Sequence, residues 1–167
     1  MQLKKLTLQA FGPFKDKVEI DFEDKGIDKG LLLISGDTGA GKTTIFDAIC
    51  YALYGQTSGE TRTTTSLRSD WASPDIDTFV DLEFYYKDKL YEVRRGPEYT
   101  KRKKNGDGEK KQAPMAEINL NGRIITKVTD VTKEIEQLIG LDYKQFRQVA
   151  MLSQGEFTKF LLASSEE

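Results

Sequence analysis

The first 23 residues alternate apolar and polar side chains in two short runs separated by a turn at residues 11–14. The apolar positions are Leu6, Leu8 and Ala10 in the first run and Val18, Ile20 and Phe22 in the second. A period of two is typical of strands that bury one face. The opening therefore predicts a pair of half-buried strands. The continuous apolar run at residues 31–34 predicts a third, central strand that is covered on both faces.

The apolar spacing becomes helical after Lys42. The positions that define it are Ile45, Ala48, Ile49, Ala52 and Leu53. Gly55 stands where a left-handed residue would end this helix. Residues 56–75 are rich in Thr, Ser, Gly and Asp without a clear period, so we predict a surface loop there.

Four antiparallel strands and two further helices are predicted downstream. Alternation at residues 80–86 and 91–93 predicts two strands joined by a turn at Lys87-Asp88, and a second hairpin turns at Asn121-Gly122. Helical spacing from Val128 ends before Gly140, and a last helix is expected from Gly155 onwards. We divide a single lobe, 1–167, into three parts. These are the opening strands with the glycine-rich loop and first helix (1–55), a loop and antiparallel sheet (56–126) and a helical segment (127–167).

A phosphate-binding motif lies between the predicted central strand and the first helix. Gly36, Gly41, Lys42 and Thr43 match the spacing G-x-x-x-x-G-K-[ST]. Main-chain amides of such a loop converge on phosphate oxygens, the lysine contacts the β- and γ-phosphates, and the hydroxyl binds Mg²⁺. Asp37 should turn its carboxylate outward. The residues expected to bind ATP are Gly36, Thr38, Gly39, Ala40, Gly41, Lys42, Thr43 and Thr44.

Composition excludes several kinds of chemistry. The chain contains 25 Lys and Arg against 27 Asp and Glu, no histidine and one cysteine, so imidazole catalysis and an intrachain disulfide are excluded. Cys50 should be a buried apolar residue, and Asp47 and Glu83 should have structural roles. The opening lacks a secretion signal and no run of 18 apolar residues occurs. We expect a cytoplasmic protein that does not enter a membrane.

Residues 8–14, 36–44, 46–55 and 140–163 together closely resemble the N-terminal segment of the SbcC family. These are the ATPase subunits of SbcCD nuclease complexes and relatives of SMC proteins. The resemblance implies an α/β P-loop NTPase fold, specifically the N-terminal lobe of an ABC-type ATPase head with an accessory antiparallel β-subdomain. It also identifies residues 152–155 as the Q-loop, in which Gln154 would ligate Mg²⁺ and sense the γ-phosphate, making Lys42 and Gln154 the expected catalytic residues. From the residues alone, Gln154 could equally be a solvated helix cap. Another alternative takes residues 152–156 as an imperfect ABC signature, although Gln154 replaces its glycine.

No run of four apolar residues precedes Asp-Glu, as a Walker B strand requires; residues 79–81 come nearest. The resemblance implies that a C-terminal lobe, beyond a coiled coil, carries the signature, Walker B and the catalytic glutamate, and that this chain alone hydrolyses ATP poorly. Two heads would sandwich two ATP molecules as a homodimer and control an SbcD-like nuclease subunit on double-stranded DNA, in double-strand break repair and hairpin processing. The alternatives are an SMC- or RecF-like ATP-gated DNA clamp and a small P-loop kinase.

Basic residues cluster between the predicted hairpins. They are Lys101, Arg102, Lys103, Lys104, Lys110 and Lys111, with Arg94 and Arg95 just before them. Such a cluster predicts salt-dependent, sequence-independent contacts with DNA phosphates, for which Lys101 to Lys104 are the candidates. A solvated polar loop is the alternative interpretation. Trp71 and Tyr99 have rings able to stack on bases, but packing roles are commoner for single loop aromatics.

Overall fold

The structure is a computed structural model and describes residues 1–23, 34–58, 66–102 and 108–150. Its strands are β1 (Gln2–Gln9), β2 (Val18–Asp21), β3 (Phe79–Tyr86), β4 (Lys89–Gly96), β5 (Tyr99–Arg102), β6 (Glu109–Gln112), β7 (Met115–Leu120) and β8 (Arg123–Thr126). Its helices are α1 (Lys42–Tyr54), α2 (Val128–Ile139) and α3 (Tyr143–Ala150). None of the helices in these ranges has the length and apolar character needed to cross a membrane.

Six strands form one antiparallel sheet in the order β2-β1-β3-β4-β7-β8. The opening strands and the predicted accessory sheet are therefore continuous. The register aligns Leu6 with Leu82, Leu82 with Val93 and Val93 with Ile118. All four side chains are buried, and apolar neighbours on adjacent strands stabilise a sheet through their side-chain contacts. This row marks the face of the sheet that forms the core.

Helix α1 packs on this face, where it contacts β3, β4, α2 and α3. Nine of its thirteen residues are buried. It ends at Gly55, whose φ is 70° and whose N–H donates to the Tyr51 carbonyl 2.8 Å away. Helix α2 ends in the same way at Gly140, with φ of 77°. These two of the three predicted helices, and their glycine caps, are confirmed.

The two predicted hairpin turns are also confirmed. Lys87 and Asp88 have φ of 49° and 60°, and they join β3 to β4. Asn121 and Gly122 have φ of 55° and 101°, and they join β7 to β8. Positive φ at both central residues is the geometry that two-residue hairpins favour.

Three elements, β5, β6 and α3, were missing from the sequence prediction. Strands β5 and β6 pair as a separate two-stranded sheet, so a loop spanning all of residues 101–111 is wrong. Helix α3 begins after Asp142, whose carboxylate accepts from the Gln145 N–H at 2.9 Å while the Gln145 side chain accepts from the Asp142 N–H at 3.0 Å. The spacing of Asp142 and Gln145, three positions apart, is a sequence signal for this reciprocal capping box. Residues 31–33 of the predicted central strand and the predicted helix from Gly155 lie outside the described residues.

Candidate nucleotide site

The phosphate loop takes main-chain conformations that favour glycine. Gly39 and Gly41 have φ of 87° and 89°, a region that residues with a Cβ rarely adopt. Gly41 has a second constraint, because a Cβ at this position would lie 2.9 Å from Cζ of Phe14. The turn between β1 and β2 thus packs against the loop and leaves no space for a side chain at Gly41.

Helix α1 begins at the end of this loop with no side-chain cap. Its first amides are therefore available to an anion, which the positive end of the helix dipole also favours. The Lys42 side chain folds back over the loop, where Nζ donates to the carbonyls of Gly36 at 2.6 Å and Asp37 at 2.7 Å. These bonds hold the ammonium group beside the loop amides. Asp37 itself is exposed, in agreement with the expected outward carboxylate.

The loop opens onto a cavity of about 530 Å³. The remaining wall includes Gly12 and Pro13 from the turn and residues of the segment 66–71. This segment is fixed beside the turn because the Gly12 N–H donates to the Leu67 carbonyl at 2.8 Å and the Ser69 N–H donates to the Ala10 carbonyl at 2.9 Å. Small-ligand sites commonly have volumes of about 300–1,000 Å³. The predicted nucleotide-binding residues that line the cavity are Thr38, Gly39, Gly41, Lys42, Thr43 and Thr44.

The two threonines after Lys42 differ in what they offer a ligand. Thr43 is exposed on the cavity wall, so its hydroxyl is accessible to a metal ion. The Thr44 side chain is buried against Gly12, where an added Cβ would lie 2.7 Å from Thr44 Cγ2, and its main-chain N–H is the group it can offer. Mg²⁺ usually takes one or two protein ligands together with phosphate oxygens and water. The Thr43 hydroxyl beside the phosphate loop fits that requirement.

The second predicted Mg²⁺ ligand, Gln154, lies outside the described residues. Within the ranges that the structure does describe, no group of three or more acidic or cysteine side chains is placed to hold a metal without other ligands.

The predicted basic cluster is divided among different environments. Lys101 Nζ lies 2.9 Å from Asp77 Oδ1, and this hydrogen bond raises the pKa of Lys101. Lys111 Nζ lies 2.8 Å from Glu98 Oε1. Arg102 is exposed at the end of β5, whereas Lys103 and Lys104 lie outside the described residues. Lys101 and Lys111 thus each make an ion pair within the protein, and contact between this cluster and DNA stays a prediction.

Arg95 does not belong to that cluster. Its side chain is only 1% exposed, because strand alternation places it on the same inward face as Tyr91 and Val93. The guanidinium donates from Nε to the Ala52 carbonyl at 2.7 Å and from Nη2 to the Leu53 carbonyl at 2.9 Å. Burial lowers the pKa of Arg95 to about 10. The inclusion of Arg95 among residues near DNA is therefore wrong. Its position two residues after Val93 already indicated that both side chains lie on the same, inward face of the strand.

Arg94, the outward neighbour of Arg95, is also engaged by the protein. Its guanidinium lies 3.9 Å from the centroid of the Phe79 ring, and Nε lies 3.4 Å from Asp81 Oδ1. Arg94 is nevertheless exposed on the outer face of the sheet.

The predicted structural roles of two carboxylates and of the cysteine are confirmed. Asp47 Oδ1 accepts from the main-chain N–H of Ser58 at 2.9 Å and from its hydroxyl at 2.5 Å. Glu83 pairs with Lys4 Nζ at 3.1 Å. Cys50 is fully buried, and burial raises the pKa of its thiol to about 12, which leaves it unreactive.

The amino-acid sequence of this chain is similar to those of known proteins. A family model described as an AAA domain matches residues 5–167. The SbcC subunit of nuclease SbcCD from Vibrio cholerae is 46% identical over 172 residues, which cover 100% of this chain and 17% of that protein. The protein of the same name in Lactococcus lactis is 37% identical over 171 residues, covering 97% of this chain and 16% of that protein. The chain thus spans less than a fifth of the length of these relatives, and the resemblance to the SbcC family is confirmed.

Among solved structures, the SMC head domain from Thermotoga maritima aligns with a TM-score of 0.45 and 24% identity, over 80% of this chain and 42% of that one. The family model, in contrast, covers nearly the whole chain, including the phosphate loop, α1 and the sheet on which α1 packs. The chain therefore belongs to the AAA domain family.

Proposed function

We propose that this chain binds ATP with Mg²⁺ as the N-terminal part of an SbcC-like ATPase head. The observation that carries the proposal is the phosphate loop, where the Lys42 ammonium group is held against the carbonyls of Gly36 and Asp37 at the uncapped start of α1. Main-chain amides, a helix dipole and a fixed ammonium group converge there on one cavity, an arrangement that suits a polyphosphate.

The residues of the phosphate loop have separate proposed roles. Amides between Thr38 and Lys42 bind the phosphates, aided by the positive φ of Gly39 and Gly41. The Lys42 ammonium group neutralises the β- and γ-phosphates, and the Thr43 hydroxyl ligates Mg²⁺. A magnesium ion held by the Thr43 hydroxyl would supply positive charge beside the phosphates.

The decisive experiment measures Mg²⁺-ATP binding by isothermal titration calorimetry with wild type, Lys42→Ala and a control, Lys133→Ala. Lys133 is exposed on α2 and does not line the phosphate-loop cavity. We expect the Lys42 variant to lose at least about tenfold in affinity, since a charge pair near a protein surface contributes up to about 4 kcal/mol. Unchanged affinity in the Lys42 variant would remove the proposal.

Gln154 is proposed as the second protein ligand of Mg²⁺ and as a sensor of the γ-phosphate. A neutral amide oxygen can ligate the ion without adding negative charge beside the phosphates. Gln154→Ala should therefore weaken ATP binding in Mg²⁺ and have little effect in EDTA. An equal effect in both buffers would contradict metal ligation by this residue.

The wider proposal concerns ATP hydrolysis. The C-terminal lobe of the same protein is proposed to add the carboxylate that polarises water, so that the chain alone turns over ATP poorly. Two heads would close on two ATP molecules and control an SbcD-like nuclease subunit in the cytoplasm. ATPase assays of the chain with and without the C-terminal lobe test this directly, because equal turnover in both would exclude the need for the second lobe.

Double-stranded DNA is the proposed polymeric ligand, with Arg102, Lys103 and Lys104 as its strongest contacts and Lys101 as a weaker one. Arg102 is exposed, whereas Lys101 is paired with Asp77. Replacing Arg102, Lys103 and Lys104 together by alanine should lower DNA affinity and flatten its dependence on salt. If Lys101→Ala lowers DNA affinity more than the triple replacement does, Lys101 and not the three following basic residues would be the main DNA contact.

A small P-loop kinase has less support than an ATPase head. A kinase requires positively charged side chains that face a phosphate acceptor. Arg68 lines the phosphate-loop cavity, but its guanidinium donates to the Ser73 and Ile76 carbonyls. Arg94 and Arg95 are engaged by β3 and α1. An SMC- or RecF-like clamp shares the proposed ATP site and would be distinguished by failure to bind a nuclease subunit.

A further inference from the structure

Trp71 contributes to the wall of the cavity that contains the phosphate loop. Its side chain is 71% exposed, which by itself is ordinary for one surface residue. Its location is the informative feature, because Lys42 and Thr43 line the same cavity of about 530 Å³. From the sequence alone, the Trp71 ring was a candidate only for packing or for stacking on DNA bases.

Hydrogen bonds from the Arg68 side chain fix the loop that carries Trp71. The Arg68 guanidinium donates from Nη1 to the Ile76 carbonyl and from Nη2 to the Ser73 carbonyl, both at 2.8 Å. The same guanidinium lies 4.5 Å from the centroid of the Tyr99 ring. Residues 68–76 therefore wrap around a fixed cation, so the Trp71 main chain is positioned before a ligand arrives. A preorganised contact loses less entropy on binding.

We infer that Trp71 stacks on the base of the nucleotide whose phosphates occupy the Gly36–Thr43 loop. This inference rests on the proposed function, since the phosphates anchor the ligand at one part of the cavity and leave its nucleoside to occupy the rest. Gly12, Pro13, Ser66 and Asp70 on the cavity wall present no aromatic surface, so Trp71 supplies the flat apolar face that a base requires.

A free nucleotide fits Trp71 better than a nucleic acid strand does. Asp70, the adjacent residue, is exposed on the same cavity wall. Its carboxylate would repel the phosphates of a strand that passed over Trp71. In a bound nucleotide the phosphates lie at the Lys42 ammonium group instead, and the Asp70 carboxylate can accept hydrogen bonds from the ribose hydroxyls.

The test compares two ligands in the full-length protein by calorimetry: Mg²⁺-ATP, and Mg²⁺-tripolyphosphate, which lacks the nucleoside. The variants are Trp71→Ala, Trp71→Phe, Lys42→Ala and Ile124→Ala. Ile124 is a matched control because it is 60% exposed on β8. Both apolar side chains are largely exposed, so their removal should leave the fold intact.

We expect Trp71→Ala to weaken ATP binding by about tenfold, the scale of one base–aromatic stack, and to change tripolyphosphate binding less than about twofold. Trp71→Phe should recover most of the loss, and Ile124→Ala should resemble wild type. Equal losses for both ligands in Trp71→Ala would overturn the inference, as would an unchanged affinity for ATP. If Lys42→Ala lowers the affinity for both ligands while Trp71→Ala lowers neither affinity, only the stacking inference fails. If Lys42→Ala lowers neither affinity, the proposed function itself fails.

Discussion

Replacing Arg95 by methionine removes a buried cation while keeping a side chain of similar length. The Ala52 and Leu53 carbonyls would lose the donors that now lie 2.7 and 2.9 Å away, and each buried carbonyl left without a partner costs about 1–3 kcal/mol. The last turn of α1 would also lose a positive charge, worth up to about 2 kcal/mol near a helix C-terminus. Relief from burying the guanidinium offsets part of this loss.

The expected net effect is a decrease of about 2–4 kcal/mol in the free energy of unfolding, below the sum of the separate losses because of that offset. Arg95→Lys should be intermediate, since it keeps the charge but not the forked geometry.

Urea denaturation followed by far-UV circular dichroism measures this difference, with Arg94→Met as the matched control. Arg94 is exposed and its Nε lies 3.4 Å from Asp81 Oδ1, so its loss should cost less than about 1 kcal/mol. A stability for Arg95→Met within about 0.5 kcal/mol of wild type, the usual range for neutral surface changes, would refute the structural role assigned to Arg95. An Arg94 variant that is the less stable of the two would refute it as well.

Two further predictions concern the phosphate loop and the core. In calorimetry, Gly41→Ala should weaken Mg²⁺-ATP binding more than Gly39→Ala does. Both positions have positive φ, but a Cβ at Gly41 would lie 2.9 Å from Phe14 Cζ, whereas a Cβ at Gly39 would have no atom within 4 Å. Equal losses of affinity in the two variants would contradict this reason. Because burial raises the pKa of Cys50 from 9.0 to about 12, its neutral form contributes stability that is fully present below pH 9 and is lost as pH rises towards 12. Cys50→Ala should therefore reduce the fall in unfolding free energy over that range, and an unchanged pH dependence would exclude Cys50 as a source.

The elements predicted correctly are those whose signal is local in the sequence. Alternation over a few residues defined β3 and β4, and positive-φ residues marked the hairpin at Asn121-Gly122. Gly55 and Gly140 marked the helix ends. These features depend on neighbouring residues and on main-chain sterics, so they do not require knowledge of distant contacts.

The missed elements had weaker local signals. The β5–β6 hairpin is made of polar and charged residues without an apolar alternation, and its pairing depends on contacts such as that between Lys101 and Asp77. Helix α3 spans only eight residues, and its buried Phe146 packs 5.2 Å from the Tyr54 ring, centroid to centroid. Short elements of this kind acquire much of their stability from tertiary packing.

By itself, the sequence determined the phosphate loop from Gly36 to Thr43 and the helix that follows it, because glycine conformations and short-range spacing define that site. Only the tertiary structure decided that Arg95 binds the end of α1, that Lys101 pairs with Asp77, and that Trp71 shares a cavity with Lys42. These relations join residues more than 20 positions apart, and the partner of a charge or ring at that separation depends on how strands and loops come together in space.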